Sequence, residues 1–386
     1  MEYATTPENK KREQEWYNHN DLNGSRPMVT IEEWTFFHEV KRKLTCETEK
    51  GREFENKIVS HLIGREDMDD DRATPGFFSL TRPSWFLPFG VEVKVRNANN
   101  SIGYEFLHTI SDLERDFHKL GKSTWGFSKE VPDLELAQDI FGDIMPVVTL
   151  SDYPGFSITQ VLVRHMSMET MLFSMYDYPN IFHQMIKQLT DDMMEYNKER
   201  EEAGYFITNN LNQSCAQGTY SPTNLLIHKD GASLKDMWGY ADSQETVGIS
   251  PEMFEAFIFP YYKQLMDTCG KINYGCCEPV DTIWDNCLSK CANISKLSVS
   301  PWCNEEFIGD RLRGTGIIYH RKPSPNLLGD PSGFDEKAYA DDIIATLKAA
   351  KGCVLEFSLR DIYSLSGEKN RAKRAVAIIK ECCEKA

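Results

Sequence analysis

The sequence predicts an α/β protein: a (β/α)8 TIM barrel over residues 81–386, preceded by a helical extension over residues 1–80. Three observations lead there. From about residue 85 onward, short apolar runs alternate with longer amphipathic stretches, the β-then-α order of a parallel sheet covered by helices. About seven or eight such strands in roughly 300 residues favour a closed barrel over a doubly wound sheet. No G-x-G-x-x-G follows an early strand, which removes the main evidence for a dinucleotide-binding sheet.

Taken in order, the extension is rich in charge, yet Ile31, Trp34, Phe37 and Val40, then Phe54, Ile58 and Leu62, keep helical spacing. Thr30 followed by Glu33 reads as a capping box, and the acidic stretch Gly64–Gly76 as a surface loop. Three roles are open to this extension: covering the barrel's N-terminal face, forming a homodimer contact, or lidding the pocket. Strands are expected at Val91–Val95, Pro146–Leu150, Tyr205–Asn209, Lys271–Tyr274, Lys296–Val299, Gly316–Tyr319 and Cys353–Phe357. Helices are expected at Asn180–Ala203, Glu252–Thr268, Pro279–Lys290, Asn304–Leu312, Asp335–Ala350 and Lys369–Glu384.

Composition narrows the function. With 43 Lys+Arg against 59 Asp+Glu the net charge is −16, which disfavours nucleic-acid and membrane-surface partners, since phosphate contacts need clustered cations. No apolar run approaches the roughly 20 residues of a membrane span, and the charged N-terminus has no signal-peptide core. The 11 cysteines are odd in number and include the adjacent pairs Cys276-Cys277 and Cys382-Cys383, which suits reduced thiols in a cytoplasmic protein better than a disulfide framework.

In a barrel, functional groups gather where strands end. The polar strand ends are Asn209-Asn210 with Asn212, Cys276-Cys277-Glu278, Ser298 with Ser300, His320 with Lys322, and Arg360-Asp361. Two thiols and a carboxylate ahead of Pro279 suit either Zn²⁺ or chemistry, although adjacent residues on an extended strand point to opposite faces. His320 is the better distant ligand candidate. Asp242, Gln244 and Glu245 sit on a loop ahead of a helix that Ser250 caps, where carboxylates flanking an amide can do acid/base work or orient a substrate. Trp85 and its aromatic neighbours can line a pocket for a flat substrate.

The segments YFITNNL (Tyr205–Leu211), ADSQETVGISPEMFEAFIFPYYKQLMD (Ala241–Asp267), YGCCEPV (Tyr274–Val280) and LSVSPWCN (Leu297–Asn304) resemble the uroporphyrinogen decarboxylase superfamily. The closer likeness is to its methyltransferase-like branch of anaerobic bacteria, over roughly residues 85–385. That resemblance implies a (β/α)8 barrel which demethylates a small methylated compound, a methoxylated aromatic foremost. The methyl passes to the cob(I)alamin of a separate corrinoid protein.

An ether oxygen leaves only with a proton donor or Lewis acid at hand. That chemistry puts Glu278 and Tyr274 forward as catalytic groups, beside Glu245 from the acid/base loop, and Cys276, Cys277 and Glu278 are the candidate ligands of a zinc ion. Asn209, Asn210, Gln244, Trp85 and His320 are the substrate-binding candidates. The family's His-x-Cys pattern would need histidine at Tyr274 or Gly275, so only a cysteine position carries over. Three alternatives stand beside this reading: methyl transfer from a methylcorrinoid to a thiol or folate, porphyrinogen decarboxylation, and a non-catalytic barrel that binds a corrinoid protein or ligand. The decarboxylase's MRQAGRYLPEY-like signature is absent; SWFLPFGVEV (Ser84–Val93) stands in its place.

Overall fold

The computed structural model describes residues 1–97 and 103–385. At its centre is a sheet of seven strands: β1 (Met28–Ile31), β2 (Gly155–Phe156), β3 (Trp238–Ala241), β4 (Lys271–Tyr274), β5 (Ile294–Val299), β6 (Ile318–Arg321) and β7 (Leu355–Leu359). They lie in the order β1-β7-β6-β5-β4-β3-β2, with every pairing parallel. Parallel neighbours need crossovers, and these are built around the helices Pro179–Glu202, Pro251–Phe257, Phe259–Met266, Glu305–Leu312 and Glu336–Ala349, with Asn370–Lys385 following β7. The expected helix over Glu252–Thr268 breaks at Ile258, because Pro260 in the following turn has no N–H to continue the ladder. Ser250 caps it as expected, accepting from Met253 N. The expected helix Pro279–Lys290 shrinks to the short turns Asp281–Trp284 and Leu288–Lys290.

Alternate strand positions separate by chemistry. Val29, Ile31, Ile272, Leu297, Val299, Tyr319, Phe357 and Leu359 join the apolar core with the helices. The intervening positions, Thr30, Asn273, Lys296, Ser298, His320, Glu356 and Ser358, are polar and equally buried. They meet on the other face: Lys296 Nζ lies 2.8 Å from Glu356 Oε2, Thr30 Oγ1 lies 2.9 Å from Ser358 Oγ, and His320 Nε2 lies 2.8 Å from the same hydroxyl. Each contact joins two strands, so the hydrogen-bonded interior fixes their register as firmly as the apolar exterior does.

Strand-to-strand pairing does not close this sheet into a barrel among the described residues. The free edge of β1 is satisfied by carboxylates: Val29 N donates to Asp71 Oδ2 at 2.8 Å and Ile31 N to Asp70 Oδ2 at 3.0 Å. The Gly64–Gly76 stretch therefore corrects the expectation of a solvated loop, since its Asp70 and Asp71 are buried to cap an edge strand. On the other side Tyr205–Asn209, an expected strand, runs beside β3 but pairs through a side chain. Trp238 N donates to Asn209 Oδ1 at 2.8 Å and Asn209 Nδ2 donates to Trp238 O at 3.0 Å.

Part of the expected helical extension is strand. Met28–Ile31 is a strand of the main sheet, and Thr30, far from capping a helix, donates to Gly218 O at 2.7 Å. Val91–Val95 does not enter the sheet; Lys94–Asn97 forms an exposed antiparallel ribbon with Tyr104–Leu107. Val147–Leu150 pairs with Phe78–Thr81 in a separate two-stranded sheet. No helix among the described residues is long and apolar enough to cross a membrane.

Candidate active site

The segments following all seven main-sheet strands contribute to one cavity of about 490 Å³. Trp34 follows β1, Ser157 and Gln160 follow β2, and Asp242 and Gln244 follow β3. Cys276 and Cys277 follow β4, Ser300 and Trp302 follow β5, Lys322 follows β6, and Arg360, Asp361 and Tyr363 follow β7. Ligands of open parallel sheets and barrels bind at this carboxyl end of the strands, on the loops that lead from strand to helix.

The floor is a loop that enters the interior. Ala216, Gln217 and Gly218 all have left-handed backbone, φ 71°, 57° and 78°. The turn is held by Asn273 Nδ2 donating to Cys215 O at 3.2 Å and by Lys296 Nζ donating to Thr219 Oγ1 at 2.6 Å. Gln217 is thereby delivered to the cavity, where its Oε1 accepts from Lys322 Nζ at 2.5 Å and from Arg360 Nη1, and its Nε2 donates to Tyr240 OH at 2.7 Å.

The walls carry a thiol pair and a carboxyl group. Cys276 Sγ and Cys277 Sγ are 3.6 Å apart. The hydrogen bond from Cys277, helped by the charges of Lys322 and Arg360, draws the Cys276 thiol down to about 6, while the same bond holds Cys277 protonated. Across the cavity Asp242 is pushed up to about 8 by burial and by the neighbouring Glu278 charge, and Ser157 Oγ donates to it. A neutral carboxylic acid therefore faces the cavity at neutral pH. The rim is aromatic, with Trp34, Trp302 and Tyr363 exposed by 62%, 64% and 55%.

Of the residues given catalytic, substrate-binding or metal-ligating roles from sequence, Gln244, Cys276 and Cys277 line this cavity. The others lie elsewhere. Glu278 is buried behind the wall, its Oε1 accepting from Ser243 N and its Oε2 from Cys276 N, each at 2.8 Å. Tyr274 is buried with its OH 2.7 Å from Ser243 Oγ. Glu245 accepts from Thr159 Oγ1 at 2.8 Å, and burial raises its carboxyl. His320 lies in the sheet interior, where burial holds it neutral. Asn209 is spent on Trp238, and Asn210 Nδ2 donates to Leu226 O at 2.5 Å. Trp85, 56% exposed, belongs to the separate ribbon Ser84–Leu87 with Thr124–Phe127.

Cys276, Cys277 and Glu278 do not make a zinc site in this arrangement. Both Glu278 oxygens are engaged by backbone N–H groups, and Arg360 Nη1 lies 3.8 Å from Cys276 Sγ, where its charge opposes a divalent ion. Among the described residues no three His, Cys, Asp or Glu side chains gather to hold a metal ion.

Asp242, Lys322, Arg360 and Asp361 carried sequence signals as polar groups on loops or strand ends. Trp34, Tyr240, Gln217 and Ser157 did not, because β1, β2 and β3 were not recognised as strands and Gln217 reaches the cavity only through tertiary structure; Tyr363 lies past the polar end Arg360-Asp361 and was not singled out.

Neither a family model nor a curated protein sequence matches the chain. Among solved structures, a methyltransferase from Methanosarcina mazei superposes on 96% of this chain and 98% of its own, with a TM-score of 0.52 at 12% identity. At that identity the likeness is one of fold.

Proposed function

We propose that this protein is a methyltransferase which demethylates a small methylated compound, a methoxylated aromatic foremost, and passes the methyl to the cob(I)alamin of a corrinoid protein. The observation that carries the reading is the convergence of seven strand ends on one open cavity with the buried Asp242 carboxyl in its wall, where burial and the Glu278 charge favour its protonated form. The fold shared with a methyltransferase and the sequence resemblance of the segments around Tyr274–Val280 support it.

A corrinoid brought to the mouth would supply the nucleophile for the methyl carbon; the rest falls to this chain. The rim of Trp34, Trp302 and Tyr363 receives a flat ring on its π-faces. As the carbon–oxygen bond breaks, the phenoxide needs a proton, and Asp242 holds one at neutral pH. The Ser157 hydroxyl orients that carboxyl. Asp242 thus takes the acid role that the sequence offered to Glu278 and Tyr274, whose polar atoms are committed to Ser243 and Cys276. Transfer to a thiol acceptor has less support, because the zinc that would ionise the thiol has no assembled ligand set. All 11 cysteines are free, which suits a reducing cytoplasm.

The test mixes purified protein with chemically reduced cobalamin, or a reduced corrinoid protein, and a panel of methoxybenzenes, following methylcobalamin by its absorbance. Formation that depends on Asp242 is the expected result. No methylcobalamin with any substrate, together with turnover of a porphyrinogen, overturns the reading.

A further inference from the structure

Cys276 and Cys277 are neighbours in sequence, yet both thiols line the cavity. On an extended strand they would point apart. Here β4 ends at Tyr274, and Gly275 turns the chain with φ 99°; a side chain there would press on Ser298, whose Cβ lies 3.0 Å from the position a Cβ would take. The sulfurs come to 3.6 Å. That is far beyond the roughly 2.05 Å of a disulfide, and it is a span one soft atom can bridge with bonds of about 2.3 Å to each sulfur.

What kind of atom is decided by the surroundings. Lys322 Nζ donates to Cys276 O at 3.1 Å and Arg360 stands against Cys276 Sγ, so a bare divalent cation meets two positive charges. No further imidazole or carboxylate completes a tetrahedral set among the described residues. A neutral trivalent centre escapes both objections: it needs two sulfurs only and brings its third substituent with it.

We propose that Cys276 and Cys277 form a chelating site for a monosubstituted trivalent arsenical, R–As(OH)2, with R lying in the cavity below Trp34, Trp302 and Tyr363. Two S–As bonds form and two As–OH bonds break; the Cys277 proton and one proton from solvent, in place of the one Cys276 has already released, leave with the two hydroxides as water, and no oxidant or reductant takes part. Asp361, whose Oδ2 is 3.9 Å from Cys277 Sγ, is placed to relay the Cys277 proton. This site stands independently of methyl transfer.

The probe is phenylarsine oxide, added to the fully reduced full-length protein and followed by intact-mass spectrometry. One equivalent should survive excess 2-mercaptoethanol and leave on addition of 2,3-dimercaptopropanol. Cys276→Ser and Cys277→Ser should each abolish that monothiol-resistant adduct, while a Cys287→Ser/Cys291→Ser variant retains it. Should the single variants misfold, the wild type still decides the matter: bound probe must protect Cys276 and Cys277 from iodoacetamide in peptide maps. Survival of the resistant adduct in Cys276→Ser, its absence from the wild type, or protection confined to other cysteines would each overturn the proposal.

Discussion

Two buried carboxyl groups in this molecule end in opposite charge states. Glu356, within the sheet interior, is pressed upward by burial, but the Lys296 charge and the hydrogen bond with His19 outweigh that and hold it well below the usual carboxylate range. Lys296 Nζ and His19 Nε2 approach Glu356 Oε2 to 2.8 and 3.0 Å. Asp242, at the cavity wall, feels the same desolvation, but its neighbours are the Glu278 carboxylate and the Cys276 thiol, and its pKa climbs to about 8. Burial sets the size of the conflict and the sign of the neighbours decides it. The deep carboxylate is ionised and structural; the shallow one is protonated and able to donate.

Breaking the deep cluster should have the largest effect. Glu356→Ala leaves Lys296 buried without its counter-ion, and stability should drop by about 3–5 kcal/mol in denaturant melts. A loss near zero would mean that the interior is not held as described. Asp242→Asn, by contrast, should not lower the melt at neutral pH, since the amide keeps the shape of the acid without its tendency to ionise. It should slow methyl transfer by roughly 10²–10⁴-fold, since the amide cannot give up a proton to the leaving oxygen. If the asparagine variant turns over normally, the acid has to be sought elsewhere in the cavity.

The contrast shows how far the sequence could be read. Cys276, Cys277, Ser300, Lys322, Arg360 and Asp361 were legible because each follows an apolar run whose end is marked by polar residues, and all line the cavity. Met28–Ile31, Gly155–Phe156 and Trp238–Ala241 were not, being strands of two or four residues set among charged, turn-like or aromatic sequence. With β1 unread, Trp34 passed for part of a helix face. Choosing between Glu278 and Asp242 was beyond the sequence, because what separates them is which one receives the N–H groups of Ser243 and Cys276.

A smaller effect separates the two carboxyls by pH. Asp242's folded value of about 8 exceeds its ordinary 3.8, so the folded chain keeps a proton that the unfolded chain sheds. This group's contribution to stability therefore declines as pH rises from about 4 to 8, with a slope of at most about 1.4 kcal/mol per unit. Glu356, depressed in the folded state, contributes stability that is present above its ordinary 4.5 and fades as pH falls below it. Melts across this range should show Asp242→Asn flattening the decline between about pH 4 and 8. A variant with the wild-type slope would place the titration on another group.

The smallest effect is expected at the rim, where two tryptophans of similar exposure make a matched pair. Trp34 is 62% exposed and borders the cavity; Trp85 is 56% exposed and lies on the outlying ribbon. Neither buries enough surface for alanine to cost much stability, and each melt should move by no more than about 0.5 kcal/mol. Their kinetics should differ. Stacking of an aryl substrate on an indole is worth about 0.5–1.5 kcal/mol, so Trp34→Ala should raise KM for a methoxybenzene by roughly two- to tenfold with kcat little changed. Trp85→Ala should change neither constant, although it is the tryptophan that sequence alone nominated. Should Trp85 prove the sensitive one, the substrate approaches from the ribbon side and the cavity mouth is not its entrance.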